Sequence, residues 1–123
     1  MTQYLDAFVG EDPAKIAGFV SAEFRNEHLS ALGSGSQGRE EYARRLPGFL
    51  STFIDRRYTI EAIVEQIGAS EIDIVVRYRF EATYDGHRIN IPGVMWFGVG
   101  QGLITRRVDV WDSLTFLQQT GQR

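Results

Sequence analysis

The sequence predicts an α+β fold: three helices followed by an antiparallel run of four long strands. Three observations carry that prediction. Apolar residues recur at helical spacing as far as Phe53 and at period two after Asp55. Asp85-Gly86 sits between two alternating runs, and both residues tolerate the positive φ that a tight hairpin needs. The 123 residues amount to one domain, 1–123, long enough to bury about two-thirds of its unfolded surface without disulfide or metal staples.

Thr2–Val9 carries Tyr4, Leu5, Phe8 and Val9 at helical spacing and reads as a short amphipathic helix. Asp12 is suited to cap a second helix, with Pro13 at the first position, where no N–H is lost; Ile16, Phe19 and Val20 share one side. Glu23–Leu29 reads as extended and leads into a flexible Gly33-Ser34-Gly35-Ser36 loop. A third helix runs from about Gly38 to Phe53, with Tyr42, Leu46, Phe49, Leu50 and Phe53 as its apolar stripe. Pro47 removes one backbone bond from it and predicts a bend. Strands are expected near Tyr58–Gly68, Glu71–Tyr84, Arg88–Val99 and Leu103–Asp112. Ser113 is expected to cap a last helix through Gln119, ended by Gly121.

Composition narrows the function. Eight Phe, five Tyr and two Trp are more aromatic surface than a disordered chain carries. A formal charge of -3 argues against a nucleic-acid partner, which calls for a basic stripe. Arg44, Arg45, Arg56 and Arg57 cluster, but Glu40, Glu41 and Asp55 sit among them, so the group reads as a solvated face. With no Cys, disulfides, thiolate catalysis and Cys-based zinc sites are excluded. His28 and His87 share no ligand spacing and the glycines form no phosphate cradle, so no metal and no cofactor are expected. No signal peptide precedes Tyr4, and no apolar run approaches the ~18 residues of a membrane span. The expected location is the cytoplasm, with no membrane partner.

The strands carry a conflict. In Glu71–Tyr84 the even positions Ile72, Ile74, Val76, Tyr78 and Phe80 are apolar, and the odd ones include Arg77, Arg79 and Glu81. In Leu103–Asp112 the even positions Ile104, Val108 and Val110 alternate with Arg107, Asp109 and Trp111. In Arg88–Val99 both faces are apolar: Ile89, Ile91, Met95 and Phe97 on one, Val94 and Trp96 on the other. A one-sided sheet should alternate cleanly. One solution puts the even faces in the core and the charged odd faces in water. The other puts Arg79, Asp109 and Trp111 inside a concave pocket and buries the even faces against a second subunit.

The segment GVMWFGVGQGLITRRVDVWDSLTF closely resembles the final hairpin of the SnoaL-like branch of the ketosteroid-isomerase and nuclear-transport-factor-two superfamily. YLDAFVGEDPAKIAGFV, FRNEH and GREEYARRLPGFL look like that family's three helices and first strand, so the resemblance covers nearly the whole chain. It implies a cone, a curved antiparallel sheet wrapped around three N-terminal helices with one apolar pocket opening at one end. It also implies a homodimer through the outer sheet face, where Val76, Tyr78, Val94, Trp96, Val108 and Val110 would form the patch. It does not fix the reaction, because the superfamily holds isomerases, cyclases, epoxide hydrolases, dehydratases and non-catalytic binders.

Asp109, in RVDVWD, looks like the aspartate that acts as acid or base in SnoaL-like cyclases and limonene-epoxide hydrolases. Arg107 and Trp111 share its face by strand parity. Asn26 is similar in position to an epoxide-hydrolase Asn that holds a water, but Phe24 lacks the hydroxyl of the Tyr that works beside it. Arg79 and Glu81 match that family's Arg and Asp pair only approximately. Tyr4 is similar in position to an oxyanion-donating Tyr of ketosteroid isomerases, whose Asp base has no counterpart in FRNEH. His28 is the other candidate proton carrier, since imidazole titrates near neutrality. The expected site therefore has Asp109, His28 and Asn26 as catalytic groups. Tyr4, Phe24, Phe49, Phe53, Arg79, Ile91, Met95, Arg107 and Trp111 are expected to bind a small hydrophobic ligand. The expected function is isomerase- or cyclase-type acid–base chemistry, with a non-catalytic binder or an epoxide hydrolase as the alternative.

Overall fold

Four long strands follow one another as an antiparallel meander: β3 (Ile54–Ile67), β4 (Ile72–Tyr84), β5 (His87–Gly100) and β6 (Leu103–Trp111). The computed structural model describes residues 1–123. Asp85 and Gly86 turn β4 into β5 with φ of 46° and 78°, and Gln101 and Gly102 repeat that geometry before β6. On the other side of β6 lie β1 (Val20–His28) and the short β2 (Ser36–Gln37), giving the sheet order β2-β1-β6-β5-β4-β3.

β1 runs parallel to β6, with His28 opposite Asp109 and Asn26 opposite Arg107. No hairpin links these strands, so no turn sets their relative direction. β1 enters beside Ile104, whose N–H donates to the Phe19 carbonyl, and runs along β6 in the same sense. The sheet is curved and does not close.

α1 (Thr2–Asp6) passes into a 3-10 turn at Ala7–Val9, and α2 (Pro13–Ala17) follows with Pro13 at its first position. Asp12 caps α2 by accepting from the Ala14 and Lys15 amides. α3 (Arg39–Thr52) runs continuously through Pro47. α4 (Ser113–Gln119) is capped by Asp112, which accepts from Thr115 N–H at 3.0 Å, and not by Ser113. The aspartate occupies the cap position itself, which leaves Ser113 inside the first turn. No helix is long and apolar enough to cross a membrane.

The helices pack on the concave side through edge-on aromatic contacts. Tyr4 meets Phe97 at 5.9 Å, Phe8 meets Tyr58 at 5.3 Å and Phe24 meets Tyr42 at 4.9 Å. On α3 the stripe divides: Tyr42, Leu46 and Leu50 are buried, whereas Phe49 and Phe53 are only partly covered.

Which face each strand turns inward differs from the expectation at β4. Its even residues Val76, Tyr78 and Phe80 point inward and are buried, so Val76 and Tyr78 do not belong to an outer patch. On β6 it is Arg107 and Asp109 that point inward, and Val110 points out. The pairing explains this: Tyr78 lies opposite Gly93 and Gly93 opposite Trp111, so an even face on β4 continues as an odd face on β5 and β6. Parity belongs to each strand separately, and register alone relates one strand to the next.

Arg56 is likewise not on a solvated face. Its side chain is buried, donating to the Phe8 and Gly10 carbonyls at the end of the 3-10 turn and to the Leu50 and Phe53 carbonyls at the end of α3. Helix ends leave carbonyls without partners, and here one planar guanidinium serves four of them at two such ends.

Candidate functional site

Between α3, the inner sheet face and α4 lies a cavity of about 340 Å³. Phe53, Phe80, Tyr84, Ile89, Ile91 and Phe116 form its apolar walls. β6 brings Arg107, Asp109 and Trp111 to it and β1 brings His28. The period-two alternation of β6 is what aims all three of its residues the same way.

Asp109 is the most constrained of these. Its side chain is 4% exposed; one carboxylate oxygen accepts from Tyr78 Oη at 2.6 Å, and the other from Arg107 Nη2 at 2.9 Å. An ionised carboxylate buried alone costs several kcal/mol, and two short charge-assisted bonds are the usual offset. Arg107 in turn donates through Nη1 to Tyr4 Oη at 2.9 Å, and the Tyr4 and Tyr42 hydroxyls bond each other. Burial opposes the Arg107 charge, but the oxygens of Tyr4, Tyr58 and Asp109 outweigh it and hold the guanidinium protonated, its pKa well above the ordinary value. Burial, and then the Asp109 charge, push the Tyr78 hydroxyl well above its ordinary pKa, so it stays a donor.

Gly93 makes this bond possible. A Cβ at that position would overlap the Tyr78 ring and hydroxyl, which lie directly across the strand pair. The alternation of β4 alone does not mark Tyr78 as a site residue; the small residue facing it across the hairpin is the signal that could have found it.

His28 sits at the end of β1, partly buried, with Nδ1 accepting from the Trp111 indole N–H at 3.2 Å. Burial, and then the nearby Arg107 charge, lower its pKa from the ordinary 6.5, against a smaller opposing effect of Asp109. Asn26 faces a second, smaller cavity of about 190 Å³ that shares His28, Ser34, Phe49, Tyr58 and Arg107 with the first. Asn26 Oδ1, Ser36 Oγ and Arg107 Nε are buried there without protein partners. The expected single apolar pocket is thus two adjoining spaces, one apolar and one with unsatisfied polar atoms.

Of the residues expected at the site, His28, Phe49, Phe53, Ile91, Arg107, Asp109 and Trp111 line the larger cavity and Asn26 the smaller. Four lie elsewhere. Tyr4 is fully buried behind Arg107 and touches the site only through it. Phe24 packs against Tyr42, and Met95 is buried opposite Asp109; neither lines either of these two cavities. Arg79 is on the outer face, bound to Glu61 and Asn90, because β4 turns its odd residues outward. No three His, Asp or Glu side chains converge closely enough to hold a metal ion.

No curated protein matches the chain in sequence. Solved structures are similar in fold. A protein with a ketosteroid isomerase-like fold from Catenulispora acidiphila DSM 44928, in complex with trimethylamine, superposes with a TM-score of 0.84 at 16% identity, over 99% of this chain and 92% of that one. An LEH-like epoxide hydrolase from M. tuberculosis gives 0.79 at 18% identity, over 98% and 88%. A Jannaschia sp. CCS1 protein provisionally named a SnoaL-like polyketide cyclase gives 0.73 at 15% identity, over 96% and 91%. The sequence model of the SnoaL-like domain matches residues 1–107, ending two residues before Asp109. With most of its length matched and its sheet wrapped as in these structures, the chain belongs to the SnoaL-like domain family.

Proposed function

We propose that this protein is an enzyme of general acid–base type, isomerising or cyclising a small hydrophobic ligand held in the larger cavity. One observation carries the reading: the Asp109 carboxylate is held by Tyr78 and Arg107 in the wall of a mostly apolar space. Each oxygen accepts one bond and keeps a lone pair for a substrate proton. Arg107 and Tyr78 hold the carboxylate in place, while the aromatic walls limit competing water. Asp109 takes a proton from carbon and returns it at another carbon in an isomerisation; in a cyclisation the carbanion attacks a carbonyl carbon of the same molecule, whose π pair moves to oxygen and takes up the proton. Epoxide hydrolysis is the weaker reading, because Phe24 supplies no hydroxyl and lies outside both cavities.

The test begins with native mass spectrometry of the purified protein to identify any small molecule it retains. That molecule is then incubated with catalytic amounts of protein in D2O. Chemical conversion or deuterium uptake, lowered by roughly 100-fold or more in Asp109→Asn, is the expected result. A ligand that is retained unchanged, and equally well by Asp109→Asn, makes the chain a binding protein instead. We also propose a homodimer through the outer sheet face, on which Val94, Trp96 and Val110 are exposed.

A further inference from the structure

The polar atoms of the smaller cavity come from three adjacent strands, in one row. Ser36 of β2 lies opposite Asn26 of β1, and Asn26 lies opposite Arg107 of β6. Side chains paired in this way stand on the same face of the sheet, about 5 Å apart. Each member of the row buries one polar atom that has no partner in the protein: Ser36 Oγ, Asn26 Oδ1 and Arg107 Nε. Left in that condition, each gives up its hydration and gains nothing in return.

The row has a definite sense. Arg107 Nε–H can only donate, an amide oxygen can only accept, and the Ser36 hydroxyl does either. No protein group holds Asn26 Oδ1, so the guanidinium beside it decides which way the amide turns, and a cation draws the oxygen and not the NH2. The arginines of this cavity already have their counter-charges. Arg107 pairs with Asp109 at 2.9 Å and Arg45 with Glu41 at 2.7 Å. A ligand carboxylate would therefore lose its water without meeting a spare positive charge. A single water is too small an occupant, since the space of about 190 Å³ is several times the ~30 Å³ share of one water. A donor beside an acceptor, with no net charge to neutralise, is complemented by a neutral group that carries both.

We propose that the smaller cavity is a subsite for a carboxamide, whose C=O accepts from Arg107 Nε–H while its N–H donates to Asn26 Oδ1. Ser36 Oγ is left for the second N–H of a primary amide. His28, Phe49 and Tyr58 border both cavities, so an apolar body in the larger space and an amide in the smaller can belong to one molecule. The subsite requires no proton transfer by Asp109, and it goes beyond the acid–base reading without resting on it.

Three probes with a common benzyl body test the polar end. Phenylacetamide donates and accepts, phenylacetone only accepts, and phenylacetate is an anion. Titration calorimetry of the unmodified protein at neutral pH should find the amide bound on the order of tenfold more tightly than the ketone, the worth of one added hydrogen bond, and more tightly still than the acid. Asn26→Leu should bring the amide down to the affinity of the ketone and leave the ketone unchanged. A second readout needs no variant: the Arg107 Nε–H resonance of labelled wild-type protein should shift when the amide is added. Phenylacetate binding most tightly would make the row an anion site and overturn the proposal. Equal affinities of amide and ketone, an unmoved Arg107 resonance, or no binding of the amide at millimolar concentration would leave the row to water and overturn it as well. No turnover is measured, so each of these results leaves the acid–base reading where it stood.

Discussion

A histidine held neutral carries a signature in stability as well as in chemistry. The folded-state pKa of His28 lies below its ordinary 6.5. As pH falls below about 6.5 the unfolded chain therefore binds its proton before the native protein does, and stability declines until the native pKa is passed. Urea unfolding between pH 7.5 and 5 should show this decline, and a shallower one in His28→Gln; identical slopes would mean that His28 titrates freely. At this scale the sequence was readable where one strand sufficed. Arg107, Asp109 and Trp111 alternate on β6 and line one cavity, as spacing alone indicates. Tyr78 and Arg79 were not readable, because the inward face of β4 depends on its register with β5 and on the gap left by Gly93. Tyr4 looked like a ligand contact by position, but the bulk of Arg107 stands between it and the cavity.

Among the elements, the strands and hairpins declare themselves through period-two patterning and through turn residues with positive φ, and their observed ends fall within a few residues of expectation. What escapes is any joint made by backbone carbonyls, since these have no letter in the sequence. Arg56 is the clearest case. It sits among charged neighbours, yet it joins the end of the 3-10 turn to the end of α3 through four carbonyls and reaches Glu11 at the surface. Replacing it with Met keeps much of the volume and strands those acceptors. Arg56→Met should lower unfolding free energy by about 3–5 kcal/mol, with Arg56→Lys recovering only part because one ammonium cannot span both helix ends. Chemical denaturation measures both, and a loss within about 0.5 kcal/mol would show that water serves the carbonyls equally well.

For the whole molecule, the outer face of the sheet raises the question of what covers it. Val64, Val75, Trp96 and Val108 lie opposite one another in turn, an apolar row across four strands, with Val94 and Val110 beside it. The Arg106 guanidinium lies 5.8 Å from the Trp96 ring and shields part of it. A symmetric pair would bury the row against its own copy. Sedimentation at micromolar concentration should then give twice the 13.9 kDa chain mass, and Trp96→Glu should halve it. A wild-type monomer would mean that the row stays in water. The parallel pairing of β1 with β6 has a different consequence, one of timing. Ser30 and Trp111 meet across 81 positions of chain, and the same seam brings Asn26 and His28 beside Arg107 and Asp109. Joining ends so far apart requires closing a long loop, a slow step because its entropy is lost before its contacts form. The earlier hairpins can zip locally and bring Tyr78, Arg107 and Asp109 together, but Asn26 and His28 join them only when that seam closes. Completing the fold and completing the candidate site are then a single event, and any ligand that bridged the seam would stabilise the finished protein by mass action.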